Sequence, residues 1–411
     1  MLLLTALTAP TPGCGGEPAS LEGRGSVPAA GRPPAAELRA LGYSAWDEVG
    51  EDAPETTPRG PGAEPTPWAR VWADDRSHVL AVEPSGAQRL RLEVPGRTQV
   101  EFARPLPGGR ILCVSVDEGI TLLEPDGRAV IRIDVRAHHE AVVVPDGRPE
   151  GARRFAVLVH DEFIHAGRAV RFDGVLLIDE ATGTEVEEGW AFDTHAARER
   201  ILDAVGLEEH PLDRPGRDEG ETVYDYFHAN GLAFDGPSRV VLCLRNVDAM
   251  VTVDLSSDEV VSAIGPGTLD WPHAPSFVEG PDGSRRLLAF DNGKHRGWSR
   301  VVELDPASGE VLWEWRGTEQ RPLWSELRGY AQRLPGGRTL VTESERGRAI
   351  EIDSAGRVVW EFLNPETRAA SGGGRARRRI YRMLASPEPR VGEEDPAGDP
   401  EAPGARERPP R

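Results

Sequence analysis

This chain of 411 residues has 68 acidic against 48 basic side chains, a formal net charge of −20. Because a phosphate backbone requires a basic protein surface, this balance argues against nucleic-acid binding. No run of about 18 apolar residues is present, so the sequence predicts no membrane-spanning helix. The 46 glycines and 36 prolines are typical of a fold with many turns and of unstructured ends.

The N-terminal segment, residues 1–67, is predicted to lie outside the folded domain. MLLLTALTAPTPGCGGEP (1–18) resembles a bacterial lipoprotein signal in which Cys14 would carry the lipid, although the usual basic start is missing. The stretch 15–67 is rich in Pro, Gly, Ala and Glu, as linkers are. We therefore expect an exported protein, periplasmic or lipid-anchored, with a cytoplasmic protein as the alternative.

From residue 68 onward one unit recurs six times: an apolar run, an acidic residue, a turn and a second apolar run. The six acidic residues are Glu83, Glu124, Asp179, Asp254, Asp305 and Asp353. An irregular repeat of about 40–50 residues built from hairpins is typical of a β-propeller. The sequence therefore predicts an all-β, six-bladed propeller over residues 68–385. Since residues 68–97 are short for a whole blade, RRRIYRML (377–384) is the candidate for a closing strand.

Two further segments follow from composition and periodicity. FDTHAARERILDAVGLEE (192–209) has helical spacing of apolar residues and predicts a helical insertion between blades three and four, either a lid on the channel or a surface helix. Residues 386–411 have no apolar face and predict a disordered tail. Cys113 and Cys243 lie in separate apolar runs, which indicates buried core residues and not a disulfide.

Three histidines occupy matching places in consecutive repeats. His139, His228 and His273 each precede an Asp-Gly turn by seven to nine residues, while the matching places of the second and sixth repeats hold Glu101 and Gly329. Because equivalent positions of a propeller meet around one axis, these histidines would converge at the channel. The alternative is a set of scattered surface or hydrogen-bonded histidines.

Several segments are similar to bacterial arylsulfotransferases that use aryl sulfates as donors. The segments are AHHEAVVVPDG (137–147), DYFHANGLAFDGPSRVVLCLRNVDAMVTVD (225–254), LLAFDNGKHRGWSRVVELDPASGEVLWEW (287–315) and RGYAQRLPGGRTLVTESERGRAIEIDSAGRVVWEFLNP (328–365). The resemblance covers about residues 95–365. It implies a six-bladed propeller that transfers a sulfuryl group from an aryl sulfate to a phenol through a sulfated channel histidine, without a cofactor.

Carried over by position, the resemblance assigns His228 and His273 to the family's histidines. Its arginine would be Arg296 or Arg300. A later family histidine is missing here, because the sixth repeat reads Arg328-Gly329-Tyr330. Either His139 or His138 then serves as nucleophile, or the transfer reaction has been lost.

Further candidates concern substrate binding. An arginine and neighbouring polar groups suit the three sulfuryl oxygens, so His138, Arg245, Asn292 and Glu101 are assigned to binding. Salt bridges or strand-end hydrogen bonds are the alternative roles of Arg245 and Asn292.

Three other functions stay open at this point. The scaffold could bind a ligand or partner without catalysis. His138 or His139 could form a three-imidazole metal site with His228 and His273. A quinone-cofactor propeller is the remaining alternative, although such proteins normally have more blades. An arginine among the histidines would favour an anionic substrate over a metal.

Overall fold

The computed structural model describes residues 65–186, 189–208, 223–318, 321–369 and 375–386. Cys14, the signal-like segment up to residue 64 and the predicted tail from residue 387 lie outside the described residues. No helix among the described residues is long and apolar enough to cross a membrane.

Six antiparallel sheets confirm the predicted propeller. Blades one to three are built, from the inner to the outer strand, as follows: blade one, β30 (Leu384–Ser386), β1 (Ala69–Ala73), β2 (His78–Val82), β3 (Gln88–Glu93); blade two, β4 (Val100–Pro105), β5 (Ile111–Ser115), β6 (Gly119–Leu123), β7 (Ala129–Ile133); blade three, β8 (Ala137–Val143), β9 (Arg154–His165), β10 (Arg168–Asp179), β11 (Thr184–Glu185).

Blades four to six have the same order. Their strands are, for blade four, β14 (Ala229–Asp235), β15 (Arg239–Leu244), β16 (Ala249–Asp254), β17 (Glu259–Ile264); for blade five, β18 (Pro272–Glu279), β19 (Arg285–Asp291), β20 (Arg300–Leu304), β21 (Val311–Trp315); for blade six, β24 (Tyr330–Leu334), β25 (Arg338–Glu343), β26 (Arg348–Ile352), β27 (Val358–Leu363).

Six short strands lie outside this pattern. They are β12 (Phe192–Asp193) and β13 (Tyr224–Asp225), which both pair with β10; β22 (Gly317–Thr318) with β23 (Arg321–Pro322); and β28 (Thr367–Ala369) with β29 (Arg375–Arg377). By pairing with the long strand β10, β13 brings the segment just before blade four alongside blade three.

The acidic residue of each repeat is the last residue of the third strand of its blade or the residue directly after that strand. Asp254, Asp305 and Asp353 each accept a hydrogen bond at Oδ1 from the backbone N–H two residues further on, at 2.9–3.0 Å. Such a turn lets the chain reverse at once into the outer strand. The recurring sequence unit is therefore the outer hairpin of every blade.

The ring closes with a strand from the other end of the folded chain. β30 pairs with β1, with Ala385 opposite Arg70, and becomes the inner strand of blade one. A strand from this end of the folded chain closes the ring, but it covers Leu384–Ser386 and shares only Leu384 with the predicted segment 377–384. The loop before β30 places Tyr381 and Arg382, both buried, at the centre of the ring.

The inserted helix α1 (Arg198–Val205) begins after β12 and ends at Gly206, whose φ of 73° terminates it. Ile201 and Leu202 are buried in the core beside β16 and β17, the outer strands of blade four. The helix therefore packs on the side of the propeller as a surface helix, and none of residues 198–205 reaches the channel. Cys113 and Cys243 are buried and free, as predicted.

Candidate functional site

The inner strands of all six blades begin at the same end of the channel. Around the ring the first residues of these strands, or those just before them, are Tyr381, Glu101, His139, His228, His273 and Arg328. This arrangement brings the imidazoles of His139 and His228 to within 4.8 Å between ring centroids, while His273 lies outside the cavity that opens at this end.

In blades two to five an irregularity of the inner strand sits at this end. The pairing shifts register between Val100 and Phe102, Ala137 and Ala141, Ala229 and Leu232, and His273 and Ser276. A β-bulge turns extra residues out of the ladder and redirects their side chains. His139 and His228 also have φ values of 56° and 54°, in the left-handed region that ordinary side chains rarely adopt. Such outliers are concentrated at functional sites.

A cavity of about 570 Å³ opens at this end of the channel. Its lining is mainly polar and comprises Gln99, Glu101, Val116, His138, His139, His160, Arg171, Asp173, Asp225, His228, Arg245, Asn246, Trp271, Lys294, Leu327 and Arg328. A cavity of this size accommodates a substituted phenyl ring, and the lining can bind its charged substituent.

Four imidazoles form a continuous group along one wall. The ring centroids of His139 and His228 lie 4.8 Å apart, and those of His138 and His160 are stacked at 4.8 Å. His138 and His139 are joined by a contact of 2.8 Å between their Nδ1 atoms. The backbone N–H of His139 lies 3.4 Å from Oε2 of Glu101, which fastens the bulge of blade three to blade two.

Carboxylates orient these imidazoles. Nδ1 of His228 is hydrogen-bonded to Oδ2 of Asp225 on β13. Since the ring lines the cavity and its side chain is 19% exposed, Nε2 is the nitrogen left for a bound molecule. Asp173 lies 3.4 Å from Nε2 of His138, and Asp117 is hydrogen-bonded to Nε2 of His160 at 2.6 Å.

Burial keeps the imidazoles neutral. Desolvation, with the charge of Arg245 next, lowers the pKa of His228 to about 4. Desolvation likewise lowers the pKa of His138, His139 and His273 well below the ordinary value. A neutral imidazole offers a lone pair at neutral pH, so these rings can act as nucleophiles or bases.

The two carboxyls beside His228 differ in pKa. Burial raises the pKa of Asp173 well above its ordinary value, and the neighbouring charge of Asp225 adds to the rise. Burial also raises the pKa of Asp225, but other groups outweigh it. The charge of His228 and its hydrogen bond to Asp225, together with the charges of Arg245 and Arg171, hold this pKa below the ordinary value. Of the two carboxyls, Asp173 is therefore the one that holds its proton more strongly, and Asp225 is the one that ionises first.

Cations line the rest of the cavity. Four basic side chains face it: Arg171, Arg245, Lys294 and Arg328. The guanidinium of Arg245 lies 4.5 Å from the centroid of the Trp271 indole, and Nζ of Lys294 lies 3.6 Å from it. An aromatic wall beside cations suits a ligand that joins an aryl ring to an anion.

His273, Arg296, Arg300 and Asn292 lie outside this lining. Nδ1 of His273 is 2.7 Å from Oδ1 of Asn292, so this asparagine orients the histidine, and Nε2 of His273 is buried without a hydrogen-bond partner among the described residues. Arg296 and Arg300 both bind Oδ2 of Asp291, at 3.1 and 2.7 Å. Of the sequence candidates, the structure brings together His138, His139, His228, Arg245 and Glu101 at the cavity.

The channel histidines do not have the spacing of a metal centre. Among the described residues, the group whose ligand atoms lie close enough is Asp248, Asp270 and His295, within 4.8 Å of one another near the surface. Arg245 and Arg328 also face the channel imidazoles' cavity, where a metal cation would be repelled. An arginine beside the channel histidines favours an anionic ligand over a metal ion, and Arg245 and Arg328 are such arginines.

Sequence reasoning missed Asp173, Asp225, Arg171, Lys294 and Trp271. Asp225 had a signal, since it stands three residues before His228. Asp173 and Arg171 lie on β10 in the long hairpin of blade three, and only the pairing of β10 with β13 brings them beside His228. No sequence spacing encodes that contact.

Comparison with known protein families gives a match for this chain. The family model "Arylsulfotransferase (ASST)" matches residues 157–365, about half of the chain. The chain therefore belongs to the arylsulfotransferase family, as the sequence resemblance predicted. Comparison with curated proteins finds no match.

Solved structures with a similar fold are distant in sequence. A protein of unknown function from Bacteroides caccae is 13% identical, with 79% of this chain and 100% of that chain covered and a TM-score of 0.48. A streptogramin B lyase is 12% identical, with 81% and 98% covered and a TM-score of 0.41. AztD from Citrobacter koseri, in its apo form, is 12% identical, with 78% and 98% covered and a TM-score of 0.39.

Proposed function

We propose that this protein transfers a sulfuryl group from an aryl sulfate to a phenolic acceptor through a sulfated intermediate on His228. Family membership supports the reaction class. The observation that carries the choice of residue is the pair of Asp225 and His228, in which Nδ1 is bound to the carboxylate and the ring faces the cavity. The positive side chains of Arg171 and Arg245 flank the same pair.

In the first half-reaction the lone pair of His228 Nε2 attacks the sulfur of the donor. The N–S bond forms while the S–O bond to the aryl group breaks, and that electron pair leaves on the aryl oxygen. Nδ1 keeps its proton, so the sulfated ring carries a positive charge that the Asp225 carboxylate stabilises. This arrangement resembles the orienting acid of a catalytic triad in its physical role.

In the second half-reaction a phenol enters after the first aryl product has left. Its hydroxyl proton passes to a base in the cavity, its oxygen attacks sulfur and the N–S bond breaks. His228 returns to the neutral state. The cations Arg171, Arg245 and Lys294 stabilise the three sulfuryl oxygens in both transition states, and Trp271 packs against the aryl ring.

A second candidate function is anion binding without transfer. It is favoured by blade six, where Arg328 stands at the ring position and the next residue, Gly329, has no room for a side chain. A Cβ built on Gly329 would lie 2.2 Å from the Phe290 ring. The family's later histidine therefore has no equivalent place in this channel.

A transfer assay tests the proposal. The full-length protein would be incubated with 4-nitrophenyl sulfate, with and without phenol, and nitrophenolate release would be followed. We expect one rapid equivalent without phenol, steady turnover with it, and an intact-mass gain of one SO₃ group on the protein. His228→Ala should lose at least about 10³-fold in rate.

Two variants complete this assay. His295→Ala, in an exposed histidine outside the cavity, should retain the wild-type rate. His273→Ala should lower the rate less than His228→Ala, because His273 does not line the cavity. Absence of release by folded wild-type protein, with saturable binding of 4-nitrophenyl sulfate in calorimetry, would support the anion-binding function instead.

A further inference from the structure

We propose that Asp173, His138 and His139 form a proton relay that delivers a proton to the departing aryl oxygen and recovers it from the incoming phenol. This inference rests on the transfer reaction proposed above and assigns that reaction its acid and base.

The three groups lie one after another between a buried carboxyl and the cavity, and the buried Nε2 of His138, which faces Asp173, has no hydrogen-bond partner among the described residues. Oδ1 of Asp173 lies 3.4 Å from Nε2 of His138, and Nδ1 of His138 lies 2.8 Å from Nδ1 of His139. The side chains of Asp173 and His138 are at most 4% exposed. His139 is half-buried, lines the cavity and touches His228 edge to face, with ring centroids 4.8 Å apart. The path therefore ends beside the proposed nucleophile.

The hydrogen bonds around Asp173 indicate where its proton lies. Oδ2 accepts a hydrogen bond of 2.9 Å from the backbone N–H of Ala229. That leaves Oδ1, the oxygen nearer His138, for the proton. The charged groups acting on Asp173 are Asp225, which disfavours its ionisation, and Arg171 with Arg245, which favour it more weakly than burial opposes it. The carboxyl is thus placed to donate a proton from Oδ1 towards His138.

The tautomers follow from this donor. If Asp173 donates to Nε2 of His138, then His138 carries its own proton on Nδ1 and donates it to Nδ1 of His139. His139 in turn carries its proton on Nε2, directed at the cavity. Two neutral imidazoles joined through their Nδ1 atoms need one donor and one acceptor, and this assignment satisfies both.

The proton transfers balance. As the S–O bond breaks, Nε2–H of His139 gives its proton to the aryl oxygen. The Nδ1 proton of His138 moves to Nδ1 of His139, and the Asp173 proton moves to Nε2 of His138. Both rings end neutral in the opposite tautomer and Asp173 ends as a carboxylate. In the second half-reaction the phenol proton runs the path backwards and restores the starting state.

Two donors whose leaving groups differ in basicity can distinguish the proton relay from the sulfuryl transfer, because only the more basic leaving group needs a proton. Unsubstituted phenol has a pKa near 10, like tyrosine, so phenyl sulfate needs a proton donor when its S–O bond breaks. The 4-nitrophenolate anion is much less basic and can leave without one. Asp173→Asn keeps the size of the side chain and an acceptor for Ala229 but has no acidic proton.

The experiment measures kcat/KM of the full-length protein and of Asp173→Asn with both donors. We expect a loss of about 10²- to 10⁴-fold with phenyl sulfate and less than about threefold with 4-nitrophenyl sulfate. The matched control is Asp161→Asn, on the strand β9 that pairs with β10, because that side chain is 61% exposed and lies outside the cavity lining. It should leave both values unchanged.

The outcomes separate the two proposals. If the wild type cleaves neither donor, the transfer function fails and the relay with it. If the wild type cleaves both and Asp173→Asn lowers both equally, the relay is overturned and the transfer function stands. Should Asp173→Asn not fold, His139→Gln cuts the same path at the cavity and must show the same dependence on the leaving group.

Nitrogen chemical shifts of labelled imidazoles give a readout independent of turnover. The relay requires the proton on Nδ1 of His138 and on Nε2 of His139 in the resting protein at neutral pH. A spectrum that places the His138 proton on Nε2 would overturn the assignment even if the activity were intact.

Discussion

Blades two to five differ from blades six and one at the channel. In the first group each inner strand carries a register shift, and the three consecutive histidines lie on blades three to five. In the second group the inner strands β24 and β30 pair regularly, and the ring positions hold Arg328 and Tyr381, with Arg382 next to Tyr381. The channel histidines therefore all lie in the four blades with irregular inner strands, and among the described residues neither of the other two blades places a histidine at the channel.

The two groups also differ in how tightly the backbone is held. The bulge of blade four packs on that of blade five, since a Cβ on Gly231 would lie 2.7 Å from Cδ of Pro275. Arg382 is tied to Glu140 by an ion pair and to the backbone carbonyl of Asn230, so it links blade one to the bulges of blades three and four. Arg382 therefore positions the histidine-bearing strands of blades three and four, in addition to adding positive charge near the channel.

Removal of the negative charge of Asp225, which is hydrogen-bonded to His228, should reduce the activity most strongly. Asp225→Asn keeps a hydrogen-bond acceptor for Nδ1 but no longer stabilises the positive sulfated ring, so we expect the rate of the first half-reaction to fall about 10³-fold with little change in substrate binding. Rapid mixing with 4-nitrophenyl sulfate measures it. Asp235→Asn, at the far end of β14, is the control, and an equal loss in both variants would contradict the assignment.

The free energy of unfolding should fall as the pH falls because of His228 in blade four, and not because of the arginines of blades six and one. His228 has a pKa of about 4 in the folded protein against about 6.5 when unfolded, so the unfolded chain binds a proton first as the pH falls. Its contribution is fully present above pH 6.5 and is lost by about pH 4, at a cost of about 3 kcal/mol. Arg328 and Arg382 stay charged throughout this range.

Urea unfolding at pH 7, 5.5 and 4.5 measures this dependence. The free energy of unfolding should fall less steeply with acidification in His228→Gln than in the wild type. Parallel slopes for the two proteins would show that the pKa of this imidazole is the same in the folded and in the unfolded protein.

A substitution in blade six tests whether the Phe290 ring leaves room for a side chain at position 329. Gly329→Ala places a methyl group against the packed Phe290 ring, so we expect a loss of about 2 kcal/mol in the free energy of unfolding. Gly265→Ala, where the nearest atom to a new Cβ is 3.5 Å away, should cost less than about 1 kcal/mol. If both variants unfold alike, crowding by Phe290 does not explain the absence of a histidine in blade six.

The smallest effect concerns recognition of the anion. Arg245→Gln removes one cation beside Trp271, so KM for 4-nitrophenyl sulfate should rise about tenfold, equivalent to about 1.4 kcal/mol, with kcat affected less. The control is Arg239→Gln. Arg239 is the first residue of β15, at the opposite end of the strand from Arg245, and its side chain is 53% exposed, so this variant should change neither KM nor kcat. A rise in KM in both variants would indicate a general loss of charge.

Much of the fold could be predicted from the sequence because the outer hairpin recurs in sequence. The acidic residue before each turn, such as Asp254 or Asp305, has a local hydrogen-bonding reason to recur, so six blades could be counted. The histidine slots could be aligned for the same reason. The resemblance to arylsulfotransferases agreed with the count.

The carboxyl partners could not be predicted, because they come from outside the repeat. Asp225 lies on β13, which joins the sheet of blade three beside β10, and Asp173 lies within the extended β10. The left-handed backbone of His139 and His228 was equally hidden, because most histidines have a negative φ even though histidine enters this region more often than most residues. Arg296 and Arg300 were aligned by a motif, but Asp291 holds both away from the cavity.

The order of synthesis gives the closing strand a further consequence. A nascent chain emerges from its N-terminal side, so the histidines of blades three to five leave the ribosome well before Arg382 and β30. Until residues 381–386 arrive, blade one lacks its inner strand, and Glu140 is paired with the guanidinium of Arg104 but not with that of Arg382. The reactive cavity is therefore assembled late, on a ring whose other five blades already exist.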